Sequence, residues 1–210
     1  MILQLRTSSP LSLASVELRK LVAKKSKFWT KQQQETRAGI NAKLLALVSQ
    51  EQTGRLLLTP LRNGIAQVVS GIARIELPLN SWPELLPFLF SAAESPDAAH
   101  RQSAIFVFYT VLETFVEDEP SGLAQYLPQI MATFSKALQD WESLEVRITT
   151  VRGLGKVAES VDEESPNDFA ALQGAVPAMV QVLNQCFERT HAEGTKNIFA
   201  VFEILLQIDS

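Results

Sequence analysis

The sequence predicts an all-α chain in which pairs of helices repeat along one axis, and three observations carry that prediction. Apolar residues recur at steps of three and four almost throughout, strand-type alternation is nearly absent, and arginines that open long apolar helices stand 46 residues apart. In chain order the spacing predicts helices near 10–25, 31–49, 54–74, 82–94, 97–117, 121–139, 142–161, 167–189 and 192–208.

The stripes that define them are explicit. Ala104, Ile105, Phe108, Val111, Leu112 and Phe115 share one face, as do Leu144, Ile148, Val151, Leu154, Ala158 and Val161. Leu123, Leu127, Ile130, Met131, Phe134 and Leu138 make a third stripe, and Phe169, Leu172, Val176, Met179, Val180, Leu183 and Phe187 a fourth. Breaks fall at Pro78 with Asn80, Ser95-Pro96-Asp97, Glu119 to Gly122, Asp140 to Ser143, and Ser165 to Asp168. Ser81, ahead of Trp82-Pro83-Glu84, is read as a capping hydroxyl for the helix that follows.

Arg55, Arg101 and Arg147 each open a long striped helix, while the helices between carry Leu86-Pro87, Leu127-Pro128 and Val176-Pro177. Interior prolines are expected to kink those helices. A unit of 40–50 residues with two helices is the signature of HEAT-type repeats within the wider armadillo-like class, and about four to five such repeats fit one array over residues 1–210. The expected role of Arg55, Arg101 and Arg147 is structural, each guanidinium forming a rung to the adjacent repeat.

Composition agrees with a folded chain. Of 210 residues, 46% are hydrophobic and 20% charged, which excludes disorder for most of the length. Cys186 stands alone, so no intrachain disulfide forms and a reducing, intracellular setting is the simple reading. No secretory signal and no apolar run of about 20 residues is present, so a soluble, unanchored protein is expected. Charge is divided unevenly: residues 1–60 hold ten Lys/Arg against three Asp/Glu, and residues 61–210 hold nine against twenty.

No constellation for catalysis or metal binding is visible. His100 and His191 are isolated, Cys186 lies on an apolar stripe, and no phosphate-cradling glycine loop or nucleophile elbow occurs. Gly153-Leu154-Gly155 lies within a stripe and is read as a close helix contact. The expectation is a binding protein without cofactor or metal. Glu117-Asp118 and Asp162-Glu163 follow two successive striped helices and are candidates for gripping basic segments. Lys20, Lys24, Lys25, Lys27 and Lys31 cluster without enough stacking aromatics to predict nucleic-acid binding.

Asn80-Ser-Trp-Pro-Glu-Leu-Leu-Pro87, following Ile72-Ala-Arg-Ile-Glu76, resembles the junction of the second and third repeats in importin-β type nuclear transport receptors. Ser15 to Val22 with Phe28-Trp29 resembles the end of that family's N-terminal domain, and the order of motifs continues through Arg101, Tyr126-Leu-Pro128 and Arg147. The resemblance covers about residues 10–210 and is closest to the importin subunit beta-4 branch. Trp82 is its most specific mark. Residues 10–49 then correspond to a shortened N-terminal region, its first repeat lacking the outer helix, and residues 50–210 to further HEAT repeats.

The resemblance implies binding of the GTP form of the small GTPase Ran by the inner helices of the first repeats, with Glu17, Lys20, Lys24, Arg62 and Asn63 among the contacts. It implies basic cargo, ribosomal proteins or histones in the full-length family, with nucleoporins as further partners and no membrane or direct nucleic-acid partner. It also implies shuttling between cytoplasm and nucleus through the nuclear pore. The alternative from the residues alone is a generic HEAT scaffold without GTPase binding.

Overall fold

The structure, a computed structural model, describes residues 17, 20, 26–49, 59–115, 124–160 and 166–208. These form α1 (Ser26–Thr30), α2 (Gln34–Ser49), α3 (Thr59–Glu76), α4 (Leu85–Ala93), α5 (Ala98–Phe115), α6 (Leu127–Ala137), α7 (Leu144–Ser160), α8 (Pro166–Glu188) and α9 (Ala192–Ile208). A 3₁₀ turn, Ala124–Tyr126, leads into α6. No strand occurs among the described residues.

Helices alternate between two layers. In one layer α3, α5, α7 and α9 pack side by side in chain order; in the other, α2, α4, α6 and α8 each lie against the helix that follows them. The described residues thus form four two-helix units, α2–α3, α4–α5, α6–α7 and α8–α9, a HEAT-type superhelical order in which each unit touches its neighbours. The core runs through every unit. Phe108 of α5 is fully buried between Phe90 of α4, at 5.2 Å, and Phe134 of α6, edge-on at 6.1 Å. Burying each such ring contributes roughly 1.5–3 kcal/mol.

Two glycines set how closely helices approach. A Cβ on Gly153 would lie 2.6 Å from the Phe134 ring, and one on Gly155 would lie 2.8 Å from Val201 of α9. The expected close contact at Gly153-Leu154-Gly155 is therefore what brings α7 against α6 on one side and α9 on the other.

Polar caps end the helices where the sequence breaks. Asn80 and Thr190 adopt positive φ of 50° and 52°. After α3, Ser81 N donates to Glu76 O and Asn80 N to Leu77 O; after α8, His191 N donates to Cys186 O and Thr190 N to Phe187 O. Both are Schellman closures of a helix C-terminus. Starts are capped by Asp97 Oδ1, which accepts from Ala99 N, by Ser143 Oγ, which accepts from Val146 N, and by His191 Nδ1, which accepts from Gly194 N.

Three expectations are corrected. Ser81 caps no helix start: its hydroxyl donates to Glu76 O at 3.2 Å, and α4 begins at Leu85 because Trp82, 2% exposed, is drawn into the core ahead of it. Pro87 and Pro128 kink nothing, since each lies in the first turn of its helix, where the missing N–H has no intrahelical partner. Only Pro177 is interior. Val180 and Phe187 of the fourth stripe are 41% and 55% exposed, and Phe187 instead meets Phe199 edge-on at 6.2 Å. The expected helix 10–25 lies outside the described residues except for Glu17 and Lys20, which are helical.

The first unit is held together by one buried carboxylate. Glu76, 1% exposed at the end of α3, accepts from Trp29 Nε1 at 3.0 Å, Arg37 Nη1 at 3.0 Å and Asn41 Nδ2 at 2.6 Å. Removing one partner of such a group strands the others without their acceptor. Glu76→Ala is expected to cost about 3 kcal/mol, read as a fall in melting temperature of about 6–12 °C by circular dichroism, with Trp29 emission shifting to longer wavelength as α1 detaches. An unchanged melting temperature would refute this role. Gly153→Val is expected to cost about 2 kcal/mol through overpacking against Phe134, checked by the same melt.

Candidate protein-binding site

The layer α3, α5, α7 carries a row of alternating chemistry across three units. Near the start of α3, Arg62 places its guanidinium 5.6 Å over the Phe106 ring of α5. Phe106 neighbours Tyr109 at 6.1 Å, and Arg152 of α7 stacks on Tyr109 at 4.2 Å. The Tyr109 hydroxyl donates to Glu113 Oε1 at 3.2 Å. Burial pushes the Arg62 pKa down and the field of Glu145 offsets part of that, yet an arginine so perturbed stays charged at neutral pH. Arg62 Nε and Asn63 Oδ1 are buried atoms without a hydrogen-bond partner. A cation stacked on a ring keeps its charge and its remaining donors for another acceptor.

Of the residues read from the sequence as partner contacts, the structure brings Glu17 to Lys20, paired at 2.8 Å on an exposed helical turn, and places Arg62 beside Asn63. Lys24, Glu117, Asp118, Asp162 and Glu163 lie outside the described residues, as does Arg55. Phe106, Tyr109 and Arg152 were not singled out in the sequence. A signal was present: Phe106 and Arg152 are separated by the same 46 residues as Arg101 and Arg147, which places them at equivalent points of successive helices.

Arg101 spans two units. It donates from Nη1 to Ser95 O and Pro96 O in its own turn, and from Nε and Nη2 to Asp140 and from Nη2 to Glu142 in the next, at 2.6–3.2 Å. Hydrogen bonding to Asp140 raises the Arg101 pKa still further above its ordinary value. For Asp140, whose side chain is 4% exposed, burial alone acts upward. The Arg101 bonds and the N–H groups of Ser143 and Glu142 outweigh it and hold the carboxyl below its usual range. Arg147 differs: burial and the nearby Arg189 push its pKa down, and its Nε has no hydrogen-bond partner. At that junction the tie is Glu145 to His191, 2.9 Å apart. Because His191 Nδ1 accepts from Gly194 N, the neutral ring carries its proton on Nε2 and donates it to Glu145.

Among the described residues, no group of three His, Cys, Asp or Glu side chains is arranged to hold a metal, and no helix is long and apolar enough to cross a membrane. Cys186 is fully buried, and burial raises its thiol pKa, so the thiolate required of a nucleophile is disfavoured.

A family model described as IPO5-like, TPR repeats matches residues 59–205, about two thirds of the chain. The chain belongs to this importin-5-like family. Within the wider importin-β superfamily it is 28% identical over 102 residues to the probable importin subunit beta-4 of Schizosaccharomyces pombe, covering 49% of this chain and 9% of that protein. It is 22% identical over 176 residues to the probable importin-5 homolog of Dictyostelium discoideum, covering 84% of this chain and 15% of that one. Crystal structures of Kap121p, free and bound to the SUMO protease Ulp1p, share its fold with a TM-score of 0.68 at 20% identity, over 93% of this chain and 17% of theirs. The chain thus spans only a small part of the length of the relatives it matches. The family is one of transport receptors and not of enzymes. Its description mentions TPR repeats, but the 46-residue step from Arg101 to Arg147 exceeds the 34 residues of a TPR unit and suits HEAT-type geometry.

In this importin-5-like array the Arg101 rung makes a pH prediction. A carboxyl held below its unfolded value contributes stability that is present above the unfolded pKa and lost as pH falls through the folded one. Asp140→Asn keeps an oxygen for the turn N–H groups but removes the charge facing Arg101. It is expected to cost about 2 kcal/mol at pH 7, with the difference from wild type shrinking as pH falls below about 4. Chemical denaturation at pH 7, 5 and 3 measures it; a pH-independent difference would rule out the charge as the cause.

Proposed function

We propose that this chain is a protein-binding segment of a nuclear transport receptor that docks the GTP form of a Ran-type GTPase on the α3–α5–α7 layer and takes part in the import of basic cargo between cytoplasm and nucleus. The observation that carries the reading is the row Arg62–Phe106–Tyr109–Arg152, which offers two ring-stacked cations on successive helices of one layer. The resemblance to importin-β type receptors is what suggests a Ran-type GTPase as the partner. An acidic protein surface would pair with the partly exposed guanidinium groups of Arg62 and Arg152 by charge-assisted hydrogen bonds, and the aromatic rings between them would exclude water. Glu17 and Lys20 are proposed to extend the contact on the N-terminal side.

GTPase and cargo are linked in this reading. If binding of one lowers affinity for the other, the reverse follows by the same factor, so a nuclear excess of the GTP form would drive cargo release.

Calorimetry with Ran loaded with a non-hydrolysable GTP analogue, against the GDP form, tests the proposal. Binding is expected for the GTP form alone, and Arg62→Ala with Arg152→Ala is expected to weaken it at least about tenfold while the melting curve is kept. Equal binding of both forms, or none by a folded sample, would replace this reading with the generic scaffold.

A further inference from the structure

The turns joining α4 to α5 and α6 to α7 lie side by side on one edge of the array, tied by Arg101 to Asp140 and Glu142 and by Lys136 to Glu94 at 2.6 Å. Between them opens a notch of about 520 Å³ lined by Glu94, Pro96, Arg101, Asp140, Trp141 and Glu142, among others. Trp141 is 85% exposed, whereas Trp29 and Trp82 are 1% and 2% exposed. The core makes no use of this indole, and leaving so large an apolar ring in water is unfavourable.

The ring is nevertheless held on a rigid base. Asp140 Oδ1 accepts the N–H groups of Glu142 and Ser143, which fixes the turn on both sides of Trp141, and Arg101 locks Asp140 in turn. Lys136 and Glu94 cancel, Asp140 is matched by Arg101 and by the field of the nearby Arg147, and Glu142 is the carboxylate that reaches solvent. The accessible charge beside the indole is therefore the Glu142 carboxylate. Glu142, with a side chain 37% exposed, gives Oε2 to Arg101 and leaves Oε1 outside that bond.

We infer that this notch is a docking point for an arginine side chain of a partner protein. The guanidinium stacks on the Trp141 indole and donates to Glu142 Oε1. The planar cation with its fork of donors suits a ring and a carboxylate set side by side; an ammonium group is more strongly hydrated and lacks the flat face. A neutral side chain gains nothing from the Glu142 charge. The inference concerns a different face from the α3–α5–α7 row and does not rest on GTPase binding.

The probe is the peptide acetyl-Gly-Gly-Arg-Gly-Gly-amide, with lysine, citrulline and glutamate replacing arginine in control peptides. The readout is the three tryptophan indole N–H resonances of the ¹⁵N-labelled chain, with that of Trp141 assigned by its loss in Trp141→Ala, a surface change that leaves the melting curve intact. The arginine peptide is expected to shift the Trp141 resonance alone, with a dissociation constant on the order of millimolar. The effect should weaken with salt, fall several-fold with lysine or in Glu142→Gln, and vanish with citrulline. An unmoved Trp141 resonance, an equal shift by citrulline, or a stronger shift by glutamate would each overturn the inference.

Discussion

A two-helix unit of about 46 residues cannot bury both of its apolar stripes within itself, and the whole molecule follows from that shortage. Each of α3, α5 and α7 has to find its second apolar neighbour in the next unit, so the like helices stack in chain order. The approach is set where side chains are absent. Gly153 admits the Phe134 ring, Gly155 admits Val201, and a Cβ on Gly194 would meet His191 and Ile148, both at 2.7 Å. The aromatic line Phe90–Phe108–Phe134 then crosses two units without a gap.

Apolar contacts of this kind tolerate sliding, and the polar ties supply the register. Three ties use three different chemistries: within the first unit a buried carboxylate gathering Trp29, Arg37 and Asn41, between the second and third an arginine spanning to two carboxylates, and between the third and fourth a histidine facing Glu145. The first is nearly dry, so an unmatched partner there costs most. The third is half exposed and is the weakest of the three. Stability is therefore graded along the array even though the helices themselves are alike.

The part of this visible in the sequence is the part written with a period. Striped helices, the breaks at Asn80 and Ser143, and the 46-residue step of Arg101 and Arg147 were enough for the two-layer array. Glu76 was not legible as a hub because its partners Trp29, Arg37 and Asn41 lie 35–47 residues away and follow no repeat. Nor was the difference between Arg101 and Arg147: the same residue at the same register meets Asp140 in one unit and the repulsion of Arg189 in the next. Prolines after an aliphatic residue read as interior, but two of the three fall within the first turn, and only the true helix start decides that.

The arginines divide by what surrounds them, and that division separates fold from recognition. Arg101 shares its charge with two carboxylates and two carbonyls, so little of its field leaves the protein. Arg62 and Arg152 face aromatic rings, which attract a cation without accepting its hydrogen bonds, although Glu145 offsets part of the Arg62 charge. Beside Trp141 the accessible charge is instead the half-exposed Glu142 carboxylate. α5 contributes to both groups, with Arg101 at its first turn and Phe106 and Tyr109 further along. Coupling between two sites needs no longer path than one shared helix with discrete packing on both sides.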